Sequence, residues 1–117
     1  MGVLIALLST GKGTWGEVGR LVNAEEWDEV YLVTTEFGKE KFTTEIDVNF
    51  ILIDRGSDVK ELSDKIKEDL TGKIQDTEVA LNLSSGSGKE HMAVLSGIMK
   101  LGLGIRLVSY NEGLVIL

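Results

Sequence analysis

Short apolar runs alternate along the chain with segments whose apolar residues recur every three or four positions. Continuous apolar runs of four to eight residues, bounded by polar or glycine-containing turns, are typical of strands buried on both faces of a sheet. Such runs cover residues 2–9, 30–34, 48–53, 79–83 and 105–110. We predict that each of them is a core strand.

Helical periodicity fills most of the gaps between these runs. One apolar stripe, on a segment otherwise rich in Lys, Glu and Asp, consists of Val59, Leu62, Ile66 and Leu70. A broader stripe, which stops at Gly102, consists of Met92, Leu95, Ile98, Met99 and Leu101. Both spacings predict amphipathic helices. Val18, Leu21 and Val22 predict a short helix after the first strand, and residues 36–44 are compatible with a weak helix or a loop.

The last residues carry a hairpin signal. Asn111, Glu112 and Gly113 separate the fifth run from the apolar segment 114–117, which predicts an antiparallel strand pair. The element order β-α-β-(α)-β-α-β-α-β-β then predicts an α/β fold. It is a Rossmann-like three-layer sandwich whose mostly parallel sheet has an antiparallel C-terminal edge strand. The length of 117 residues suits a single domain over residues 1–117.

Composition narrows the function classes. Hydrophobic residues make up 43% and charged residues 26%, as in a soluble globular domain. No apolar run approaches the ~20 residues that a membrane span needs, and the start lacks a basic leader, so we expect a cytoplasmic protein without a signal peptide. Cysteine is absent, which excludes thiol nucleophiles and disulfides. The net charge of −7 and the lack of a basic stripe argue against duplex DNA binding by the bulk surface.

Two turns rich in glycine and hydroxyl groups follow the first and fourth strands. The first turn contains Ser9, Thr10, Gly11, Lys12, Gly13, Thr14 and Trp15. The second contains Ser84, Ser85, Gly86, Ser87, Gly88 and Lys89. Parallel α/β sheets bind ligands beyond the carboxyl ends of their strands. Glycine lets backbone N–H groups approach a ligand, helix N-termini favour anions, and Ser, Thr and Lys donate to phosphate. We therefore predict an anion site at these turns.

Structural roles are the alternative for several of these residues. Thr14 with Glu17 and Ser87 with Glu90 have capping-box spacing, so both turns also predict well-formed helix starts. Trp15 suits either stacking on a ligand base or packing on its neighbours. Thr34, at the end of the second strand, would either widen the pocket or serve the following segment.

Known phosphate motifs fit the turns poorly. The Walker A pattern fails because Leu83 stands where its first glycine belongs and Glu90 where its hydroxyl belongs. Gly11, Gly13 and Gly16 match the dinucleotide fingerprint, but the chain has room for only half of a dinucleotide fold. We therefore predict no cofactor.

Histidine, arginine and tryptophan outside the turns add three smaller expectations. His91 is the single histidine, so we predict no metal site, and it is either a surface residue or a donor at the pocket edge. Arg106, inside the fifth strand, is expected to form an ion pair at a covered edge or a dimer contact. Trp27 is expected to anchor a core or an interface.

The segment 81–93, followed by the strand 105–110, resembles the CARF family of CRISPR-associated Rossmann-fold sensors. Loop 8–11 and strand 28–34 are similar to the corresponding parts of those domains. The resemblance implies a homodimer whose paired loops form one two-fold pocket for cyclic oligoadenylate, the second messenger in type III CRISPR antiviral defence. Gly88 departs from the family pattern as one extra residue before the lysine.

The resemblance also assigns roles to individual residues. Ser84, Ser85, Gly86 and Lys89 would contact phosphate and ribose, and residues 10–14 would line the floor. Two other functions stay open. One is a metal-independent ring nuclease in which Lys89 and Ser84 or Ser85 assist attack by the 2′-hydroxyl of the substrate. The other is an α/β interaction domain that binds no ligand and whose glycines serve turns alone.

Overall fold

A computed structural model describes residues 2–9 and 14–117, in which strands and helices alternate as predicted. The elements are β1 (Val3–Leu7), α1 (Trp15–Ala24), β2 (Glu29–Thr34), α2 (Glu36–Lys41), β3 (Asn49–Leu52), α3 (Val59–Leu70), β4 (Glu78–Asn82), α4 (Gly88–Lys100), β5 (Gly104–Tyr110) and β6 (Leu114–Ile116). The open question at residues 36–44 is settled in favour of a short helix, α2. Strand β1 is shorter than the apolar run that predicted it.

All the strands belong to one sheet with the order β3-β2-β1-β4-β5-β6. Every neighbouring pair is parallel except β5 and β6, which are antiparallel. The predicted α/β class, the mostly parallel sheet and the antiparallel edge are therefore confirmed. The chain builds outward from β1 to β3 and then returns to add β4 on the other side of β1, so its direction of growth reverses between β1 and β4.

The sheet is covered on both faces, which explains why β1 is a continuous apolar run. Val3, Ile5 and Leu7 point to the face covered by α3 and α4. Leu4 and Ala6 point to the opposite face, where they pack with the buried side of α1. All five side chains are buried because successive residues of a strand alternate between faces.

Helix α4 buries only part of its predicted apolar stripe. Ile98 is buried and Leu95 and Leu101 pack against the core, whereas Met92 and Met99 are 62% and 66% exposed. The apolar stripe therefore faces the core except at these two methionines. Close packing on α3 sets the orientation: a Cβ added at Gly97 would lie only 3.1 Å from Ile66 Cγ2.

The turn between β5 and β6 is the predicted three-residue hairpin loop. Glu112 has a φ of 59° and Gly113 a φ of 144°, so two successive residues adopt left-handed backbone. Among the residues described, none of the helices has both the length and the apolar content to cross a membrane.

Candidate functional site

The described part of the first predicted turn, Ser9, meets the second turn at the carboxyl edge of the sheet. Strands β1 and β4 are direct neighbours, with Ala6 opposite Asn82. Beyond the strand ends, the backbone N–H of Ser9 donates to Ser85 Oγ at 2.8 Å. This bond joins the two turns at the point where the strand order reverses, which is where open α/β sheets form ligand crevices.

The end of β1 is held by its neighbours as well as by Ser85. Thr34 Oγ1 donates to the carbonyl oxygen of Leu8 at 2.8 Å, and the Trp15 indole N–H donates to the carbonyl oxygen of Ser9. Thr34 is only 1% exposed, so its hydroxyl joins β2 to the end of β1 and faces no ligand. The Leu8–Ser9 backbone is therefore fixed from β2, from α1 and from the turn after β4.

Trp15 packs on its neighbours, the structural alternative considered above. Its ring centroid lies 6.4 Å from that of Phe37 and 6.4 Å from that of Phe42, in tilted and edge-on arrangements. Such tilted aromatic contacts stabilise a core beyond the area they bury. Trp15 thus connects the start of α1 to α2, at one side of the predicted site.

A buried asparagine shapes the turn after β4. Asn82 Nδ2 donates to the carbonyl oxygen of Val108 at 2.9 Å and to Ser84 Oγ at 3.1 Å, while Asn82 Oδ1 accepts from Ser84 N. The side chain ties the end of β4 to β5 and orients Ser84, which is exposed. Asn82 was absent from the predicted site residues. Asn82 is a polar residue at the end of an apolar strand, and this position could have identified it from the sequence.

Gly86 makes the tight part of this turn possible. Its φ of 109° lies in a region that side chains rarely adopt. A Cβ at this position would meet Leu7 Cδ2 at 3.0 Å and His91 Nε2 at 3.1 Å. The backbone of Gly86 therefore packs directly on the end of β1, with no space for a larger residue.

Helix α4 begins with the predicted capping box. Ser87 Oγ accepts from Glu90 N at 3.2 Å, and the Glu90 carboxylate accepts from Ser87 N at 2.8 Å. The first N–H groups of a helix have no acceptor within the helix. Within the described part of the chain, the N–H groups of Gly88 and Lys89 stay without an acceptor. They are available to an anion.

Helix α1 begins differently, and the predicted Thr14–Glu17 capping box was wrong. Thr14 has an αR backbone (φ −99°, ψ −8°), and its side chain makes no capping hydrogen bond. An N-cap hydroxyl reaches the N3 amide when the N-cap backbone is extended, which this one is not. Glu17 Oε2 is buried and has no partner among the residues described. Thr10, Gly11, Lys12 and Gly13, also predicted to bind ligand, lie outside the described residues.

Lys89 contacts a third loop that the sequence analysis did not include in the site. Its Nζ donates to the carbonyl oxygens of Arg55 at 3.0 Å and Ser57 at 2.7 Å, in the loop between β3 and α3. The side chain is exposed. This loop contains Gly56 with hydroxyl and acidic residues on either side, so its composition is similar to that of the two predicted turns. That similarity could have marked it as part of the site.

His91 lies against the turn after β4, not free on the surface. Its Nε2 is 2.9 Å from the carbonyl oxygen of Ser85, and the ring is half-buried. Across residues 2–9 and 14–117, no three histidine or carboxylate side chains are grouped so that they could hold a metal ion. The polar groups described at this edge include backbone amides, serine hydroxyls, the Asn82 amide, the His91 imidazole, the Lys89 ammonium and the Glu90 carboxylate that closes the capping box.

Comparison with models of protein families finds no match, and comparison with curated proteins finds no relative. The resemblance to CARF domains therefore stays a prediction from the turn residues.

Proposed function

We propose that this domain binds a phosphodiester ligand, cyclic oligoadenylate, in a pocket that the turns after β1 and β4 form in a homodimer. The observation that carries the proposal is the hydrogen bond from Ser9 N to Ser85 Oγ. It joins Ser9, the described start of the turn after β1, to the turn after β4 at the reversal of strand order, where open α/β sheets bind ligands.

The donors at this edge suit phosphate. The N–H groups of Gly88 and Lys89 open a helix of thirteen residues, whose N-terminus favours negative charge. An ammonium has three N–H donors, and two of those of Lys89 serve the carbonyls of Arg55 and Ser57. The third is left for a ligand oxygen. The carbonyl contacts also hold the ammonium near the start of α4 at low entropic cost.

An exposed apolar stripe supports the homodimer part of the proposal. Met92 and Met99 are seven residues apart on α4 and both are more than half exposed. Met92 lies one helical turn beyond Gly88, so the stripe begins beside the proposed pocket. Exposed apolar patches mark interaction surfaces. A second copy packed on this stripe would bring its own turns close to those of the first.

Binding is tested by isothermal titration calorimetry with cyclic tetra-adenylate and cyclic hexa-adenylate. Lys89→Ala should weaken binding of the preferred ring at least tenfold because one charged donor is lost. Lys100→Ala is the matched control: it removes a lysine from the other end of the same helix and should change the affinity less than twofold. A ligand at 100 times its Kd should also stabilise the native protein by about 2.7 kcal/mol.

Two results would count against the proposal. If neither ring binds the native protein, the domain does not have this function. If Lys89→Ala and Lys100→Ala bind equally well, the assigned ammonium is wrong. Incubation of each ring with the protein and EDTA separates sensing from metal-independent cleavage, because only a ring nuclease would convert the ring into linear products.

A further inference from the structure

A groove of about 320 Å³ lies at the opposite edge of the sheet, near the amino ends of the strands. Ala80, Val108 and Leu114, which belong to the apolar cluster on the α1 face, contribute apolar surface, and Trp27 forms an aromatic wall. Ligand pockets typically start at ~300 Å³ and are mostly apolar with a few converging polar groups. The groove is separate from the turns after β1 and β4, since none of its lining residues belongs to them.

The groove exists because no helix covers this part of the sheet. On this face α1 and α2 follow β1 and β2, as is usual for parallel crossovers. Strand β5 instead continues through a hairpin into β6. Helix α1 packs against β5, but none of the residues that line the groove belongs to a described helix. Ala80 is therefore only half-buried, and Ile116 on β6 is 51% exposed.

One ion pair supplies adjacent polar groups in the groove. Arg106 Nη2 lies 2.8 Å from Glu78 Oε1, which confirms that Arg106 forms an ion pair. The expected covered edge is not found, because β5 is an interior strand and both side chains are about half exposed. A guanidinium has five N–H donors and a carboxylate accepts about four hydrogen bonds, so both keep capacity for a ligand. The pair therefore offers a ligand hydrogen-bond donors from Arg106 next to hydrogen-bond acceptors from Glu78.

Among the described residues that line the groove, the remaining charge is negative. Asp76 lines it beside Glu78. These two carboxylates outnumber the guanidinium of Arg106, so a phosphate or carboxylate ligand is disfavoured here. The anion site proposed at the carboxyl edge has the opposite preference.

We propose that this groove binds an uncharged planar aromatic molecule carrying a primary amide or an equivalent donor–acceptor edge. The ligand carbonyl oxygen accepts from Arg106, and the ligand amide N–H donates to Glu78. The ring packs against Trp27 and over Ala80, where stacking on an aromatic wall adds to apolar burial. The proposal does not rest on the cyclic oligoadenylate function.

Benzamide, benzoate and benzamidine are the probes, since they share one ring and differ only in the polar edge. Two-dimensional ¹H–¹⁵N NMR follows the indole N–H of Trp27 in the groove and that of Trp15 at the other site. Benzamide should shift the Trp27 signal with saturation and a Kd on the order of 1 mM, which corresponds to about −4 kcal/mol. Benzoate offers no donor and carries a negative charge that the carboxylates of Asp76 and Glu78 disfavour, so it should bind at least tenfold more weakly. Benzamidine is a cation that has no acceptor for Arg106, so Arg106→Met should not weaken its binding.

Two groove variants and one control variant test the proposal without comparing different probes. Arg106→Met removes the donor and should weaken benzamide binding at least tenfold, whereas Lys67→Met, the same charge change on α3, should leave it unchanged. Ala80→Leu fills the floor and should abolish binding while the remaining NMR signals keep their native dispersion. The proposal is overturned if benzamide does not shift Trp27, if the three probes bind alike, or if Arg106→Met binds as the native chain does. None of these results bears on phosphate binding, which Trp15 reports.

Discussion

The starts of α1 and α4 share the Ser/Thr-x-x-Glu spacing, but only one of them forms the predicted structure. At α4, Ser87 has an extended backbone (ψ 166°) and the capping box closes. At α1, Thr14 is in the αR region and its side chain caps nothing. The indole of Trp15 instead ties the start of α1 to the Ser9 carbonyl. The N-cap backbone dihedral, which the spacing does not specify, decides whether a capping box forms.

The largest expected effect comes from the turn that leads into the well-capped helix. Gly86→Val should lower the free energy of unfolding by about 3 kcal/mol, because a branched side chain would be strained at this φ and would press on Leu7. Gly88→Val is the matched control. That position has open space, so the loss there should stay near 0.5 kcal/mol. Equal losses in urea denaturation would show that the Gly86 turn is not the constraint described.

A smaller effect is expected at the closed capping box. Ser87→Ala removes the acceptor of the Glu90 amide and should cost about 1 kcal/mol of unfolding free energy. Ser87→Asp, which restores an N-cap acceptor, should recover most of the loss. Denaturation midpoints of the three proteins give the comparison, and an unaffected Ser87→Ala protein would mean that the box contributes nothing.

The smallest effect is expected at the open helix start. Thr14→Ala removes no capping hydrogen bond, so the unfolding free energy should fall by less than the loss caused by Ser87→Ala. If Thr14→Ala cost as much unfolding free energy as Ser87→Ala, the two helix starts would not differ in the stabilisation that their N-cap side chains provide.

Local patterns predicted the fold well because strand runs and turn residues are short-range signals. The apolar run in β1 and the Asn111–Gly113 turn needed no distant partner to be recognised. The pairing of Lys89 Nζ with the carbonyls of Arg55 and Ser57 could not be predicted in this way, because more than thirty residues separate the partners. Orientation of Met92 and Met99 likewise depends on how α4 packs against α3.

Apolar patterning also could not reveal the groove. It lies where no described helix contributes to the lining of β4 and β5. Its polar groups come from the Arg106–Glu78 pair, which joins residues on two neighbouring strands. Arg106 was recognised as an ion-pair candidate, but its partner depends on strand register. Tertiary geometry therefore adds a second candidate site to the one that the turns predict.

The most direct test of phosphodiester binding at the carboxyl edge is an NMR titration of the ¹⁵N-labelled protein with cyclic tetra-adenylate and cyclic hexa-adenylate. The account predicts that the ring that binds shifts the backbone amides of Ser9 and residues 84–89 and the Trp15 indole, while the Trp27 indole stays in place. Shifts confined to the Trp27 groove, or no saturable shifts with either ring, would contradict it.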